Sequence, residues 1–467
     1  MRKIKKLVTI LMAAVMVVSL GACGKGGTEN AETQAGESSE VSAEEKSSEA
    51  VDEDGKDVET KEGEDTVLTM YGNVASSAEA RAEFNEVIKD FEGNNPGVKI
   101  ELVLMEDPTG IATQQVVAGG GPDILKIDPT NVQNFASAGY LMDLSTYANE
   151  YGWNELFDEW ALALCSRDGK VVALPEAVEA LLVFYNKDMF AEKGWEVPTT
   201  GKEYFDLCEK MKAEGIIPNS FGNADFKPAT AWWISSGYTA ALGQEKLHAL
   251  LQGDLEWESD DVKFATEQLA DMWKKGYTYE NSAGITLEDA RNMLLEEKAA
   301  MMMSGQWDAF ELMNDEPKFE WGAFKMPSWN ESAREAPLPV ALGGSYAINQ
   351  KCQDPDMAAK FLDYIYNDEY VQQQVVRGTL CPTSNCNPSD ITELDSHYVE
   401  VYDILLEAME KNNIGYCTWT YWPPAVDTYA WSNLEALYLG QLSSDEFLKN
   451  LQEKYDEDVA NGNVLEF

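Results

Sequence analysis

The chain has 467 residues but only two histidines, His248 and His397, far apart in sequence. Two isolated imidazoles give no support to a His-rich zinc site or a Ser-His triad, and each reads as a surface residue. Gly119-Gly-Gly-Pro122 lacks the Lys-Ser/Thr ending of a phosphate loop, and no Gly-x-Ser-x-Gly elbow occurs. Basic residues are scarce as well: 35 Lys and Arg stand against 82 Asp and Glu, a formal charge of −47. Nucleic-acid binding, which rests on neutralising phosphates with Lys and Arg, is therefore excluded, and anionic ligands are disfavoured. The apolar run Leu7–Leu20 has fourteen residues, whereas a membrane-spanning helix needs about 20.

What is present begins with a basic cluster, Arg2, Lys3, Lys5 and Lys6, ahead of that apolar run. A charged start, a short apolar stretch and small residues make a secretory signal, here residues 1–22. The run ends in Leu20-Gly21-Ala22-Cys23, which resembles the bacterial lipoprotein box. The resemblance implies cleavage before Cys23, lipidation of Cys23, and a protein held on the outer face of the cytoplasmic membrane. More than one acyl chain is enough for stable anchoring, at roughly 0.8 kcal/mol per buried CH₂. Residues 24–65 follow with a net charge of −11 and no aromatic residue, so together with Cys23 they read as a disordered acidic tether. Asp52, Asp54 and Asp57 beside Gly55 miss the spacing of a calcium loop.

From about residue 66 the composition turns globular, with a net charge of about −40 by subtraction. Six further cysteines remain; export permits disulfides, and Cys381 and Cys386 are near enough in sequence to pair, but free thiols fit equally. Val67–Tyr71 reads as a buried strand, and residues 78–92 as a helix with Phe84, Val87, Ile88 and Phe91 on one face. Asn94-Asn95-Pro96-Gly97 is a turn and Val98–Leu104 a returning strand, completing a β-α-β unit of a mostly parallel α/β sheet. A helix over 109–118, a strand over 124–127 and helices over 200–212, 262–274, 287–297, 354–366 and 443–455 continue the pattern.

Several stretches then carry a resemblance. Gly121-Pro-Asp-Ile-Leu125, Gly139-Tyr-Leu-Met-Asp-Leu144, Leu174-Pro175, Ala177-Val-Glu-Ala-Leu181 and Tyr185-Asn-Lys-Asp188 come first. Lys298–Trp307, Gly343–Ile348, Ala358–Leu362 and Gly440–Phe447 follow in order. Together they resemble the family 1 extracellular solute-binding proteins, and in particular maltose- and oligosaccharide-binding members. The resemblance implies a two-lobed α/β fold (type II) with each lobe a mostly parallel sheet flanked by helices and joined by hinge crossovers. It places lobe one at about 66–177 and 340–395, and lobe two at about 182–335 and 398–467. It further implies a monomer that binds a sugar or oligosaccharide between its lobes, closes on it, and delivers it to the permease subunits of an ABC importer, whose ATPase drives transport. No cofactor, metal or catalysis belongs to that role.

A sugar offers hydroxyls in the ring plane and apolar faces above and below it. Its site therefore needs planar aromatics and carboxylates or amides. The chain has 13 Trp and 20 Tyr, clustered at Trp232-Trp233, Trp307 and Tyr416–Trp431. Residues 419–424 read as a Pro-rich non-helical loop, and 223–237 as a second loop, both suited to presenting rings to a cleft. By resemblance Trp307 is a stacking residue, Trp419 or Trp422 the late aromatic with Tyr421 between them, and Trp232 or Trp233 another. Glu179 matches a hinge-edge glutamate that bonds sugar hydroxyls, and Asp128 a cleft aspartate, with a spacing a residue or two short. Asp123 reads as structural. Tyr71 and the Gly343-Gly344 pair, which would let backbone approach ligand, complete the set.

Three alternatives stand beside this. A glycoside hydrolase needs two carboxylates, but among 82 acidic residues such a pair has no specificity. An acidic, aromatic cleft also suits a polyamine or quaternary amine through cation–π contacts, and a non-transport extracellular scaffold could keep the same fold.

Overall fold

The computed structural model describes residues 66–73, 78–105, 108–330, 335–391, 394–465 and 467. The signal, Cys23, the acidic tether and the Asp52–Asp57 cluster lie outside them. The first β-α-β unit forms as its pattern predicts: β1 (Thr66–Asn73), the helix Ala78–Asn94, then β2 (Val98–Met105), parallel to β1. β3 (Ile124–Ile127) joins the other edge of β1. A short hairpin of β4 (Ser166–Arg167) and β5 (Lys170–Val171) precedes β6 (Leu174–Pro175). The chain then enters a second sheet as β7 (Val178–Asn186), followed by β8 (Ile217–Ser220), β9 (Ala299–Gly305), β10 (Trp321–Phe324) and β11 (Leu338–Leu342). β12 (Ser345–Ile348) returns to the first sheet and β13 (Ile414–Tyr416) closes the second. The first sheet runs β2-β1-β3-β12-β6; the second runs β13-β11-β7-β9-β8, with β10 also on β7. β7 runs antiparallel to β9, β10 and β11, while β8–β9 and β11–β13 are parallel, so the ladders are mixed.

Each sheet is the centre of one lobe, flanked by helices. In the first lobe Phe91, Trp153, Phe361 and Leu362 are buried around Leu68, Ile100 and Ile348. The second lobe is built around aromatic rings. Trp273 stacks on Tyr438 with centroids 4.4 Å apart and 3° between planes, and Trp233 meets Trp273 edge-on at 5.6 Å. Trp422 stands edge-on to Tyr238 at 5.3 Å and to Trp257 at 5.2 Å.

Two expected loops are helical. Trp232 and Trp233 lie in the helix Thr230–Gln252, which is buried on nearly every face from Thr230 to Leu242. A helix apolar all round has no amphipathic stripe, so periodicity cannot reveal it. Residues 418–421 form a helical turn and Pro424 opens the helix Pro424–Tyr438. Proline at a first helical position loses nothing, since its missing N–H would have no partner there.

Two crossovers between the sheets lie side by side and bond to each other. Gly343 N donates to Ala177 O at 2.9 Å, and Glu176 N donates to Gly344 O at 3.0 Å. A third segment supports them: Val178 N donates to Leu380 O at 2.7 Å, and Asp158 N donates to Pro382 O at 2.9 Å. The six described cysteines, Cys381 and Cys386 among them, are free thiols.

Candidate functional site

The site grows from the start of β7, where the chain has just left the first lobe. Glu179 is half-buried there and its Oε2 accepts a hydrogen bond from Trp419 Nε1 at 2.9 Å. Burial pushes the Glu179 carboxyl up to about 7, Glu176 and Asp128 pushing the same way, against the Trp419 bond and Lys126. Backbone from the second crossover closes over it: a Cβ at Gly343 would lie 2.4 Å from Glu179 Oε1. A Cβ at Gly344 would lie 2.4 Å from Glu176 Oε2. The two glycines thus let one crossover approach the carboxylates of the other, and this close approach is the role the structure shows for Gly344.

The first lobe faces this point with Lys126 and Asp128. Lys126 Nζ pairs with Glu176 Oε1 at 2.6 Å, and Tyr346 Oη donates to the same oxygen at 3.0 Å. Although burial opposes it, the carboxylates of Glu176, Glu179 and Asp128 hold the Lys126 ammonium above its ordinary value. Asp128 occupies the N-cap position of the helix Pro129–Ser137, which packs against the 418–421 turn of the second lobe. Asp123 is structural, as expected, its Oδ2 accepting from Thr69 N and Thr69 Oγ1 at 2.9 and 2.8 Å. Tyr71 stands at the end of β1 with its hydroxyl on Gln115 Oε1 at 2.6 Å.

Gln306 brings Trp307 to the same place. Its backbone N donates to Ala180 O at 3.0 Å, its Oε1 accepts from Ala180 N at 2.7 Å, and its Nε2 donates to Val178 O at 2.8 Å. Trp307, the next residue, is half-buried, with its ring against Gly305, where a Cβ would lie 2.1 Å from Cζ3. The Trp232 ring lies 5.2 Å from it, tilted by 59°, and exposed Phe226 extends the row at 6.5 Å. Thr418 N donates to Ser235 Oγ at 3.0 Å, tying the Trp419 turn to the helix that carries Trp232.

The open pairs of aromatics resolve by burial. Trp233 and Trp422 are 0% and 1% exposed and serve the core of the second lobe. Trp232, itself buried with 9% exposure, packs its ring on Trp307, and half-buried Trp419 bonds Glu179. Tyr421 is buried against Tyr416 and Phe467 and lines a separate cavity of about 770 Å³ with Trp160 and Leu164. Sequence reasoning missed Gln306, which bonds both sides of Glu179, although it lies within the Lys298–Trp307 stretch beside Trp307. Among the described residues no three His, Cys, Asp or Glu side chains are grouped to hold a metal ion.

Residues 75–372 match the model of the bacterial extracellular solute-binding protein family. The multiple sugar-binding protein of Streptococcus mutans is 26% identical over 333 residues, covering 66% of this chain and 73% of that one. The maltodextrin-binding protein MdxE of Bacillus subtilis is 26% identical over 301 residues, 63% of this chain and 68% of its own. Among solved structures, a chitin oligosaccharide binding protein superimposes with a TM-score of 0.76 at 22% identity, covering 85% of this chain and 100% of its own. RafE in complex with raffinose does so at 0.67 and 21% identity, covering 84% and 99%. Because the match takes in more than half of its residues, the chain belongs to the bacterial extracellular solute-binding proteins.

Proposed function

We propose that this protein captures a sugar or oligosaccharide between its lobes, closes on it by bending at the paired crossovers, and presents it to the permease of an ABC importer. The observation that carries the reading is the Trp419–Glu179 hydrogen bond at the crossover between the lobes. There an aromatic ring and a half-buried carboxylate supply the two chemistries a sugar demands. Trp307 and Trp232 would stack on ring faces, Glu179 and Asp128 would take hydroxyls, and Tyr71 and Gly344 would border the site from the first lobe. Sugar-binding names among the relatives point the same way. With this reading go the lobe limits given above, except that β11 pairs with β7 and joins lobe two. So do lipidation at Cys23, a place on the outer face of the cytoplasmic membrane, action as a monomer, and no catalysis.

Thermal denaturation with maltotriose, raffinose, chitotriose and xylotriose, and with spermidine as a cationic probe, tests it. A ligand that binds the folded state alone raises Tm by mass action. The expected result is a rise with one sugar that Trp307→Ala and Glu179→Ala reduce at the same sugar concentration. A rise with spermidine alone would keep the capture role and overturn the ligand class.

A further inference from the structure

Asp427 sits in the first turn of the helix Pro424–Tyr438, where a carboxylate ordinarily caps the free backbone N–H groups. Here that work is done by another residue. Asp458 Oδ2 accepts from Ala425 N and Val426 N at 2.9 and 3.2 Å. Asp427 is left with a buried Oδ1 that has no hydrogen-bond partner among the described residues. The neighbouring Thr418 is fully buried, and its Oγ1 likewise has no partner among them. Buried polar atoms are nearly always paired. Here the carboxylate oxygen and the hydroxyl lie close enough to interact but in no good hydrogen-bond geometry, so at best they hold each other weakly, a costly arrangement to keep without a use. The two atoms belong to the turn that carries Trp419 and to the helix after it, opposite the Pro129–Ser137 helix that Asp128 opens.

We propose that Asp427, assisted by the Thr418 hydroxyl, is a ligand-contacting and specificity-determining residue of the interlobe site, accepting hydrogen bonds from a pair of neighbouring hydroxyls on the captured sugar. This rests on the sugar-capture reading and adds to it the residue that selects for free hydroxyls at that position. Burial pushes the Asp427 carboxyl up to about 7, a weak interaction with the nearby Thr418 hydroxyl drawing it back and Asp128 reinforcing the rise. Sugar hydroxyls that donate to the carboxylate favour its ionised form, so capture releases a proton near neutral pH. The charged groups that face it are Asp128 across the lobes and Asp458, which bonds the neighbouring Ala425 and Val426 backbone from the following helix.

The test is calorimetric titration of the full chain with maltotriose, raffinose, chitotriose and xylotriose, at pH 6 and pH 8, for wild type, Asp427→Asn and Thr418→Val. Asp427→Asn is expected to weaken the sugar that wild type binds by about 10- to 100-fold, the range for hydrogen bonds to a charged group. Its unliganded Tm should stay level or rise, because an unpaired buried charge is removed. Wild-type affinity should increase from pH 6 to pH 8, and that increase should shrink in Asp427→Asn. Affinity kept within twofold, or a fall in Tm with affinity kept, would mean a structural role and overturn the proposal while leaving sugar capture intact. A wild type that binds none of the four sugars overturns the capture reading and this proposal with it.

Discussion

Replacing Glu179 by glutamine should make the unliganded protein more stable at neutral and alkaline pH while leaving it unchanged in acid. Glu179 is the carboxylate that the first crossover delivers beside Trp419, and burial raises it from 4.5 to about 7. For an acid raised on folding, the stabilisation is complete below the unfolded value near 4.5 and is lost as pH climbs through about 7. Carrying the group over that interval disfavours the ionised folded state by about 3 kcal/mol. Glutamine keeps an oxygen to accept the Trp419 N–H at nearly the same place and has no proton to lose. The assay is thermal denaturation from pH 4.5 to 8.5 for wild type and Glu179→Gln. For a chain this long 1 kcal/mol moves Tm by on the order of 1–2 °C, so the variant should gain a few degrees at pH 8 and nothing near pH 4.5. Using the difference between the curves removes the common pH dependence of a molecule with so large a negative charge. Parallel curves would show that Glu179 ionises as it does in water, and would refute the burial on which the reasoning depends.

Three further outcomes follow from the geometry. Trp307→Ala should weaken sugar capture by about 10- to 100-fold, through loss of roughly 1.5–3 kcal/mol of ring contact, as read by titration calorimetry. Gly343→Ala would place a Cβ 2.4 Å from Glu179 Oε1 and should cost about 1–3 kcal/mol, seen as a lower denaturant midpoint. Trp233→Ala should cost about 3–5 kcal/mol, because it empties a fully buried site between Phe221 and Trp273; chemical denaturation measures this.

Much of the secondary structure was legible because its causes are local. The helix expected over 262–274 is Asp260–Lys274, with Val262, Leu269 and Trp273 buried on one face, and the strand at 124–127 has those limits. The helix Thr230–Gln252 was not legible, since burial on nearly every face removes the periodicity that marks a helix. The aromatic clusters were visible, yet much of that wealth builds the second lobe's core: Trp233, Trp257, Trp273 and Trp422 are enclosed there.

Within Trp232-Trp233 and Trp419–Trp422 the sequence by itself determined that rings were available, and the tertiary structure decided which ones turn inward. Trp232 and Trp233 are successive helical residues and point about 100° apart, while Trp422 leaves the 418–421 turn in extended backbone and so departs from the direction of Trp419. One ring of such a pair can fill the core while the other faces the gap between the lobes, and which does so depends on where the helix is seated. The carboxylates divide in the same way. Glu179 was marked by the stretch around it, whereas Asp427 was one of 82 acidic residues until the fold buried its oxygen without a partner. Hydrophobic spacing is written along the chain, but the desolvation that makes a carboxylate distinctive arises only when distant segments enclose it.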